Sequence, residues 1–177
     1  HVQDLLMHLA LSHPEVALQF LNNGQEKLRT SGNGKLKDVI YQIYGRDVAA
    51  NLIELDYEKG GLRITGFLGK PVITRGNRNF ENFFVNGRYV KSGMISKALE
   101  DAYRDFVMQH KFPFAVLHFH LNGEEVDINV HPTKMELRFQ KQQEVYGTVF
   151  EAVHRTLLEP ELIQRAEVPE PVAVRME

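Results

Sequence analysis

The sequence contains no cysteine, and this absence excludes two classes of protein. Without thiols a chain forms neither a disulfide framework nor a thiolate metal site. It also has no Asn-x-Ser/Thr glycosylation sequon, and it does not open with a signal-peptide pattern. The longest nearly apolar stretch, residues 112–117, is far shorter than the roughly 20 residues that cross a bilayer. Together these absences predict an intracellular, cytoplasmic protein that does not enter the membrane.

The composition is that of a folded globular chain with little net charge. Hydrophobic residues make up 43% of the 177 residues and charged residues 25%, proportions that exclude wholesale disorder. The length suits one domain or two small ones. The formal net charge of −2 gives the whole chain no nucleic-acid signature, although it permits a local cluster of positive charge.

Hydrophobic periodicity and turn residues predict antiparallel hairpins together with separate helices. Asn-Gly pairs favour the positive φ angles of tight turns, and those at 23–24, 86–87 and 122–123 each join two predicted strands. The predicted strands are residues 16–20, 25–29, 51–57, 62–68, 83–85, 89–90, 114–121, 125–130 and 136–139. Apolar residues at helical spacing predict helices at residues 1–12, 36–43, 92–109 and 142–158. Such a mixture is typical of an α+β layered domain.

The two ends of the chain have distinctive patterns. The first helix carries an apolar stripe at the 3.6-residue spacing, made of Val2, Leu5, Leu6, Leu9 and Ala10. It starts without a capping residue, as a helix cut from a longer protein would. At the other end, prolines at 160, 169 and 171 punctuate a tail with little to bury, which predicts a frayed linker.

Two motifs imitate catalytic sequences but fail on inspection. The glycine-rich residues 31–35 invite a phosphate-loop interpretation, but Arg29 occupies the first glycine position of a Walker A motif and Leu36 the hydroxyl position. We therefore interpret the segment as a flexible turn. Glu125 and Asn129 form a Glu-x-x-x-Asn pair, which could cooperate on a helix. Their segment alternates as a strand, where four residues span roughly 13 Å, so we reject this pair as a site.

A pair of histidines leaves a metal-site hypothesis open. His118 and His120 lie two apart on one face of a predicted strand, a spacing that could chelate Zn²⁺ if Asp127 or His131 completed the ligand set. The alternative is an ordinary polar sheet face. No second ligand pair with good spacing appears, so we predict no metal site, and a histidine-based metal enzyme using His118, His120 and His131 is kept as a third hypothesis.

A cluster of basic residues predicts contact with a polyanion. Five cations lie within 23 residues with only Glu81 opposing them, a local balance of +4. They are Arg75, Arg78, Arg88, Lys91 and Lys97. Loops and a hairpin tip present these charges, so they could converge on phosphates, which would give salt-dependent binding without sequence specificity. The alternative is a solvated edge of the domain.

Lys134 follows a strand, a histidine and a proline. Because Pro132 fixes its own φ angle and stiffens the loop, Lys134 is a point charge that the fold can position, of the kind used on a nucleotide phosphate. Taken alone, it is more simply interpreted as an ordinary surface lysine.

Several motifs, in order along the chain, give a family resemblance. They are Leu-Ala-Leu-Ser-His-Pro at 9–14, Ile-Tyr-Gly at 43–45, Phe-Val-Asn-Gly-Arg at 84–88, Ala-Tyr at 102–103, Val-Asp-Ile-Asn-Val-His-Pro-Thr-Lys at 126–134, and Glu136, Arg138 and Phe139. With these motifs the chain closely resembles the MutL-type DNA mismatch repair proteins over roughly residues 1–158.

The resemblance implies a fold and a domain organisation. MutL-type proteins have an N-terminal GHKL ATPase domain followed by a transducer domain, and this chain resembles the transducer alone. The implied fold is a mixed, largely antiparallel sheet with helices packed on it, similar to a ribosomal-protein domain and to the second domain of gyrase-type ATPases. The implied divisions are a linking helix at 1–14, the transducer at 15–158 and the start of a flexible linker at 159–177.

The resemblance also implies roles for particular residues. Lys134 would reach the γ-phosphate of ATP held by the preceding domain, with His131 and Thr133 helping to form the nucleotide contact and Asn129 and His131 shaping the loop. ATP with magnesium is thus the cofactor of the full-length protein, whereas this segment binds none. No ATPase motif is recognisable here, so we expect no hydrolysis by the chain alone.

The implied partners are DNA, the protein's own ATPase domain, other mismatch repair proteins such as the mismatch-recognition protein, and a second copy of the full-length chain. The five basic residues would contact DNA phosphates, although Gly93 stands where some family members carry a basic residue. The alternative hypothesis is a stand-alone nucleic-acid-binding module without nucleotide coupling.

Overall fold

A computed structural model describes residues 1–121, 126–131, 134–139 and 141–166, with side chains at 1–121 and 141–159. Its helices are α1 (Val2–Ser12), α2 (Leu36–Tyr44), α3 (Arg46–Ala49), α4 (Gly93–Tyr103) and α5 (Gln142–Ala166). Its strands are β1 (Ala17–Asn22), β2 (Gln25–Ser31), β3 (Leu52–Lys59), β4 (Leu62–Gly69), β5 (Glu81–Val85), β6 (Arg88–Val90), β7 (Ala115–His120), β8 (Val126–His131) and β9 (Lys134–Phe139). Within this described part, no helix is long and apolar enough to cross a bilayer.

A five-stranded sheet forms the centre, in the order β3-β4-β7-β5-β6. Its pairs are antiparallel except for β5 and β7, which run parallel. Two further two-stranded sheets are the hairpins β1-β2 and β8-β9. Asn23 and Gly24 have φ angles of 51° and 76°, and Asn86 and Gly87 have 47° and 82°, so both Asn-Gly turns adopt the predicted left-handed conformation. The predicted mixed, largely antiparallel α+β fold is confirmed.

The predicted join of β7 to β8 through an Asn-Gly turn does not produce a hairpin. β7 pairs with β4 on one edge and β5 on the other, so it offers no edge to a third strand. β8 pairs instead with β9. The turn residues, 122–123, lie outside the described residues.

Both faces of the central sheet are buried, which explains why β5 is apolar along most of its length. Successive side chains of a strand point to opposite faces, and Phe83 lies in the core beneath α4 and α5, whereas Phe84 lies in the core beneath α1 and α2. Full burial of one such side chain contributes about 1.5–3 kcal/mol. The two cores together hold α1, α2, α4 and α5 on the sheet.

Helix α1 packs differently from its predicted stripe. Val2, Leu5 and Leu9 are exposed, whereas Ala10 and Leu11 are buried. The helix is attached by its C-terminal end. There the carbonyl of Leu11 bonds His118, and the Ser12 hydroxyl donates to the carbonyl of Gly87.

Two other helices end away from the predicted residues. α4 ends at Tyr103 rather than near residue 109, because the amides of Phe106 and Val107 both bond the Tyr103 carbonyl in a closing turn. The chain then passes through Met108, which is 80% exposed. α5 continues through Pro160 to Ala166, beyond the predicted end at 158. In a helix interior a proline removes one N–H donor and crowds the preceding turn, which can kink a helix without ending it.

Candidate nucleic-acid interface

The predicted basic residues divide between two adjacent depressions beside α4. Arg78 and Lys91 line a cavity of about 660 Å³ at the start of α4, which we call the α4 N-terminal cavity. Arg78 and Lys97 line a groove of about 880 Å³ along α4, the α4 groove. Arg75 and Arg88 line neither. The structure therefore brings three of the five cations together, with Arg78 shared by both depressions.

Arg75 is half-buried, and its guanidinium packs on an aromatic ring. Its backbone bridges that of Phe112 through two hydrogen bonds of 2.8 and 2.7 Å. Its guanidinium lies 4.7 Å from the centre of the Phe80 ring, and its Nε atom is buried without a partner among the described residues. Arg75 lies in the predicted loop, and these contacts hold its guanidinium against the Phe80 ring; its contact with DNA stays a prediction.

Arg78 and Lys97 each form an ion pair with an acidic side chain of α4. Arg78 Nε lies 2.6 Å from Glu100 Oε1, and Lys97 Nζ lies 3.0 Å from Asp101 Oδ2. The Asp101 carboxylate also accepts from Tyr146 and Arg104. The hydrogen bond from Tyr146, followed by Lys97 and Arg104, lowers the pKa of Asp101 below its usual value. The local balance of +4 therefore overstates the charge presented to a ligand.

Two cations, Arg88 and Lys91, keep the predicted character. Both are exposed, and neither makes an ion pair within the described part of the chain. Arg88 opens β6 immediately after the Asn-Gly turn, and Lys91 follows the end of that strand. They are therefore the two predicted residues whose charge is directly presented to solvent.

Glu81, the one acid counted against the cluster, opposes it less at neutral pH than an exposed acid would. It is 7% exposed, at the start of β5. Burial, and then repulsion from Glu100, raise its pKa to about 8, while Ser96 and Arg78 act in the opposite direction. Neither carboxyl oxygen has a hydrogen-bond partner among the described residues. With its pKa raised in this way, the carboxyl carries less negative charge at neutral pH than an exposed glutamate does.

Sequence reasoning missed two cations of the α4 groove, Arg104 and Lys111. It also missed the acids on α4. Lys97 and Arg104 stand four and three residues from Asp101, spacings at which helical side chains meet, so both ion pairs could have been read from the helix. The pair of Arg78 with Glu100 joins residues 22 apart and has no such local signal.

The histidine pair lies on one face of β7, as predicted, with ring centres 6.3 Å apart. His118 is partly buried, stacks on Phe84 at 4.9 Å, and has Nε2 3.0 Å from the Leu11 carbonyl. Since a carbonyl only accepts, Nε2 carries the proton, and burial lowers the pKa of this ring. No group of three potential ligands could hold a metal in the part of the chain described here. His118 attaches α1 to the sheet through this carbonyl, and the side chains of Asp127 and His131, which the metal hypothesis needs, lie outside the described residues.

The β8-β9 hairpin carries the segment predicted to contact nucleotide. Lys134 is the first residue of β9 and pairs with His131, so it begins a strand rather than lying in the loop. β9 lies beside β6, and β6 beside α1. The side chains of His131 and Lys134, and all of Pro132 and Thr133, lie outside the described residues.

The backbone shows the conformation of the two motifs that were rejected as catalytic, the Glu125/Asn129 pair and the glycine-rich residues 31–35. Asn129 lies within β8, paired with Glu136, so its strand assignment is confirmed, whereas Glu125 lies outside the described residues. In the glycine-rich segment, Gly32 and Gly34 have φ angles of 70° and 78°, and the Asn33 side chain accepts from the Lys35 amide. This is the predicted turn.

Comparison with known proteins relates the whole chain to one group. The family described as "DNA mismatch repair protein, C-terminal domain" matches residues 40–158. The DNA mismatch repair protein MutL of Agathobacter rectalis is 51% identical over 169 residues, which cover 96% of this chain and 26% of that protein. The chain thus spans about a quarter of the length of this relative.

Two solved structures share the fold. One, the N-terminal domain of a DNA repair protein, has a TM-score of 0.75 at 18% identity and covers 92% of this chain and 54% of its own. The other, the Aquifex aeolicus MutL ATPase domain complexed with ADP, has a TM-score of 0.52 at 19% identity. The match covers 84% of this chain and 45% of that one. At these identities the likeness establishes the fold alone.

Proposed function

Since this chain belongs to the MutL-type DNA mismatch repair family, we propose that it is the transducer domain of such a protein, coupling an ATPase domain to DNA. Its fold covers 45% of the Aquifex aeolicus MutL ATPase-domain chain, so that chain contains a second region that this segment does not match. That relationship supports a domain which works beside an ATPase domain. The exposed residues Val2, Leu5 and Leu9 of α1 offer an apolar surface for that neighbour.

The proposed nucleotide contact is Lys134, acting with His131 and Thr133. A lysine ammonium suits the oxygens of a γ-phosphate, where negative charge gathers during phosphoryl transfer. The position of β9 beside β6, itself beside α1, supports an arrangement in which this hairpin and α1 face one neighbouring module. A phosphate bound by both domains would bias their relative orientation.

The described donor groups fit a phosphate better than magnesium. They include no cluster of three acids or histidines that could hold a cation, so magnesium would be held by the ATPase domain of the full-length protein. ATP with magnesium supplies the phosphoryl group and its charge neutralisation there. The chain alone would contribute the Lys134 cation and no hydrolysis.

The proposed DNA contact is carried by one observation: Arg88 and Lys91 are exposed and make no ion pair among the described residues, and Lys91 lines the α4 N-terminal cavity. Arg78 and Lys97 are held by Glu100 and Asp101, so in the unsubstituted chain they would add little to the salt dependence. Two backbone contacts give a slope of about −1.8 for log affinity against log salt, less steep than the value near −4 that four or five contacts would give.

The test is DNA binding by the 177-residue chain, followed by fluorescence anisotropy with a labelled duplex. The double variant Arg88→Ala, Lys91→Ala should remove nearly all of the salt dependence. The matched control, Lys35→Ala with Lys37→Ala, removes the same charge from exposed positions around the start of α2. Equal losses in both double variants would refute a specific interface.

The alternative, a stand-alone nucleic-acid module, predicts tight binding by this chain with no dependence on an ATPase domain. Weak binding by the chain and strong binding by the ATPase-linked protein in the presence of ATP would exclude it. The mismatch-recognition protein, a second full-length copy and a cytoplasmic location complete the proposal, and they follow from the family alone.

A further inference from the structure

Asn-Gly pairs are positions at which a chain is open to spontaneous covalent change. Because glycine has no side chain, its amide nitrogen meets little hindrance when it attacks the side-chain carbonyl carbon of the preceding asparagine. Three such pairs lie among the described residues, at 23–24, 33–34 and 86–87. All three asparagines are exposed, so they differ in how firmly each side-chain amide is held.

The side chain of Asn86 is held by two hydrogen bonds to one residue of the neighbouring chain segment. Its Nδ2 donates to the Leu121 carbonyl at 2.8 Å, and its Oδ1 accepts from the Leu121 amide at 3.2 Å. The turn is also held from α1, because the Ser12 hydroxyl donates to the Gly87 carbonyl. Attack on Asn86 Cγ requires its amide to rotate toward the Gly87 nitrogen, which breaks both bonds to Leu121.

Asn33 is held as well, and the nitrogen that would attack it is engaged. Its Nδ2 donates to Asp38 Oδ2 at 2.6 Å, and its Oδ1 accepts from the Lys35 amide at 2.9 Å. The Gly34 amide donates to the Pro14 carbonyl at 3.1 Å. Both partners of the reaction are therefore restrained at this pair.

Asn23 has none of these restraints, although its backbone matches that of Asn86. The φ angles of the two residues are 51° and 47°, so both pairs occupy the same kind of turn. The Asn23 side chain, however, makes no hydrogen bond within the described part of the chain. The space beside Gly24 is open for 4 Å, whereas His13 lies 3.4 Å from the corresponding point at Gly87.

The hairpin that carries Asn23 can also open at little cost. β1 and β2 form a separate two-stranded sheet, and residues 21–27 around its turn are all exposed. The strand register is already interrupted between Phe20 and Leu21. A segment with few buried contacts opens locally far more often than the whole domain unfolds, and opening lets the Gly24 nitrogen reach Asn23 Cγ.

We propose that Asn23 is the site at which this protein deamidates first. The Gly24 nitrogen, having lost its proton to hydroxide, forms a bond to Asn23 Cγ, and the side-chain nitrogen leaves as ammonia. Water then opens the five-membered succinimide at either carbonyl, giving aspartate or isoaspartate. The net change is uptake of one water and release of one ammonia, with no oxidation or reduction. The proposal is independent of the DNA role.

The two products would affect the hairpin differently. Aspartate leaves the backbone intact and adds a negative charge to the turn. Isoaspartate carries the main chain through the former side chain, which adds one backbone atom to a two-residue turn. Because turn length sets hairpin register, the pairing of Asn22 with Gln25 would be lost in that product.

The test is a time course of the 177-residue chain at pH 8.5 and 37 °C, followed by tryptic digestion and mass spectrometry. Trypsin places the three pairs in separate peptides, 1–27, 30–35 and 79–88. Deamidation raises a peptide's mass by nearly one dalton, and fragment ions identify the residue. A sample digested at time zero corrects for reaction during digestion.

We expect Asn23 to react first, with Asn33 and Asn86 about 5- to 150-fold slower, the protection that two net hydrogen bonds give. Asn22 lies in the same peptide as Asn23 but precedes asparagine rather than glycine, so it is the internal control and should stay unmodified. The same time course in guanidinium chloride should bring the rates of the three pairs together, because unfolding removes the restraints.

Equal rates at the three pairs in the folded chain would overturn the proposal, and so would earlier reaction at Asn86 or Asn33. No modification of Asn23 would overturn it too. A preference for Asn23 of the same size in guanidinium chloride would also overturn it, since local sequence rather than the fold would then set the order.

Discussion

Replacing Glu100 by glutamine should strengthen DNA binding, although Glu100 itself would never touch DNA. Its carboxylate holds Arg78 at 2.6 Å and is only 19% exposed on its side chain. Glutamine keeps the shape of the side chain and removes the negative charge that pairs with Arg78. The guanidinium, which also lies 4.8 Å from the centre of the Phe112 ring, would stay at the junction of the two depressions and become available to a phosphate.

The magnitude follows from counting the unpaired cations. With Arg88 and Lys91 alone, the salt slope is about −1.8, and affinity falls about 12-fold between 50 and 200 mM salt. Adding Arg78 gives a slope of about −2.7 and a fall of about 40-fold over the same range. The variant should therefore bind more tightly at 50 mM and lose more of its affinity at 200 mM.

The assay is an anisotropy titration with a labelled duplex at several salt concentrations and pH 6.5. The low pH matters because Glu100 helps to raise the pKa of Glu81, and both variants should be compared with Glu81 protonated. Glu54→Gln is the control for the loss of one negative charge. An unchanged slope in Glu100→Gln, or an equal rise in slope in both variants, would refute the reasoning that this ion pair restrains Arg78.

Two further predictions concern stability. Tyr103→Phe removes the buried hydroxyl that donates to the Gly69 carbonyl at 2.6 Å and should lower the free energy of unfolding in urea by about 1–2 kcal/mol; no loss would mean that this bond contributes nothing. For Glu81, the folded-state pKa of about 8 exceeds the ordinary 4.5, so the folded state retains a proton that the unfolded state loses, and stability falls as pH rises from about 4.5 to 8. Each pKa unit of that difference corresponds to about 1.4 kcal/mol in the free energy of unfolding. At pH 8.5 Glu81→Gln should therefore be several kcal/mol more stable than the parent chain, and at pH 4 the two should differ little. Thermal unfolding at both pH values measures this, and the same difference at both would contradict it.

The hairpins were predictable because their signal is local. Asn23-Gly24 and Asn86-Gly87 adopt the left-handed angles that their chemistry favours. The partner of β7 was not predictable in the same way, because strand pairing depends on which edges the rest of the sheet has already filled. The end of α4 also depends on the turn that follows Tyr103, which helical periodicity does not encode.

The interface was predictable only as a set of cations. Charge counting along the chain found Arg88 and Lys91, but it treated Arg75 and Arg78 alike, although Arg75 packs on the Phe80 ring and Arg78 pairs with the distant Glu100. It also counted Glu81 as negative. The burial that raises the pKa of this acid arises from a strand covered on both faces, which a period-2 pattern does not reveal.

The most direct test of the central proposal is ATP turnover by the full-length protein carrying Lys134→Ala. A hydrogen bond to a charged group contributes about 1.5–3 kcal/mol, so the loss should lower kcat/KM for ATP about 10- to 100-fold. Lys37→Ala, an exposed lysine on α2, is the control and should retain the parent value. A full-length Lys134→Ala protein with unchanged kcat and KM would contradict the account.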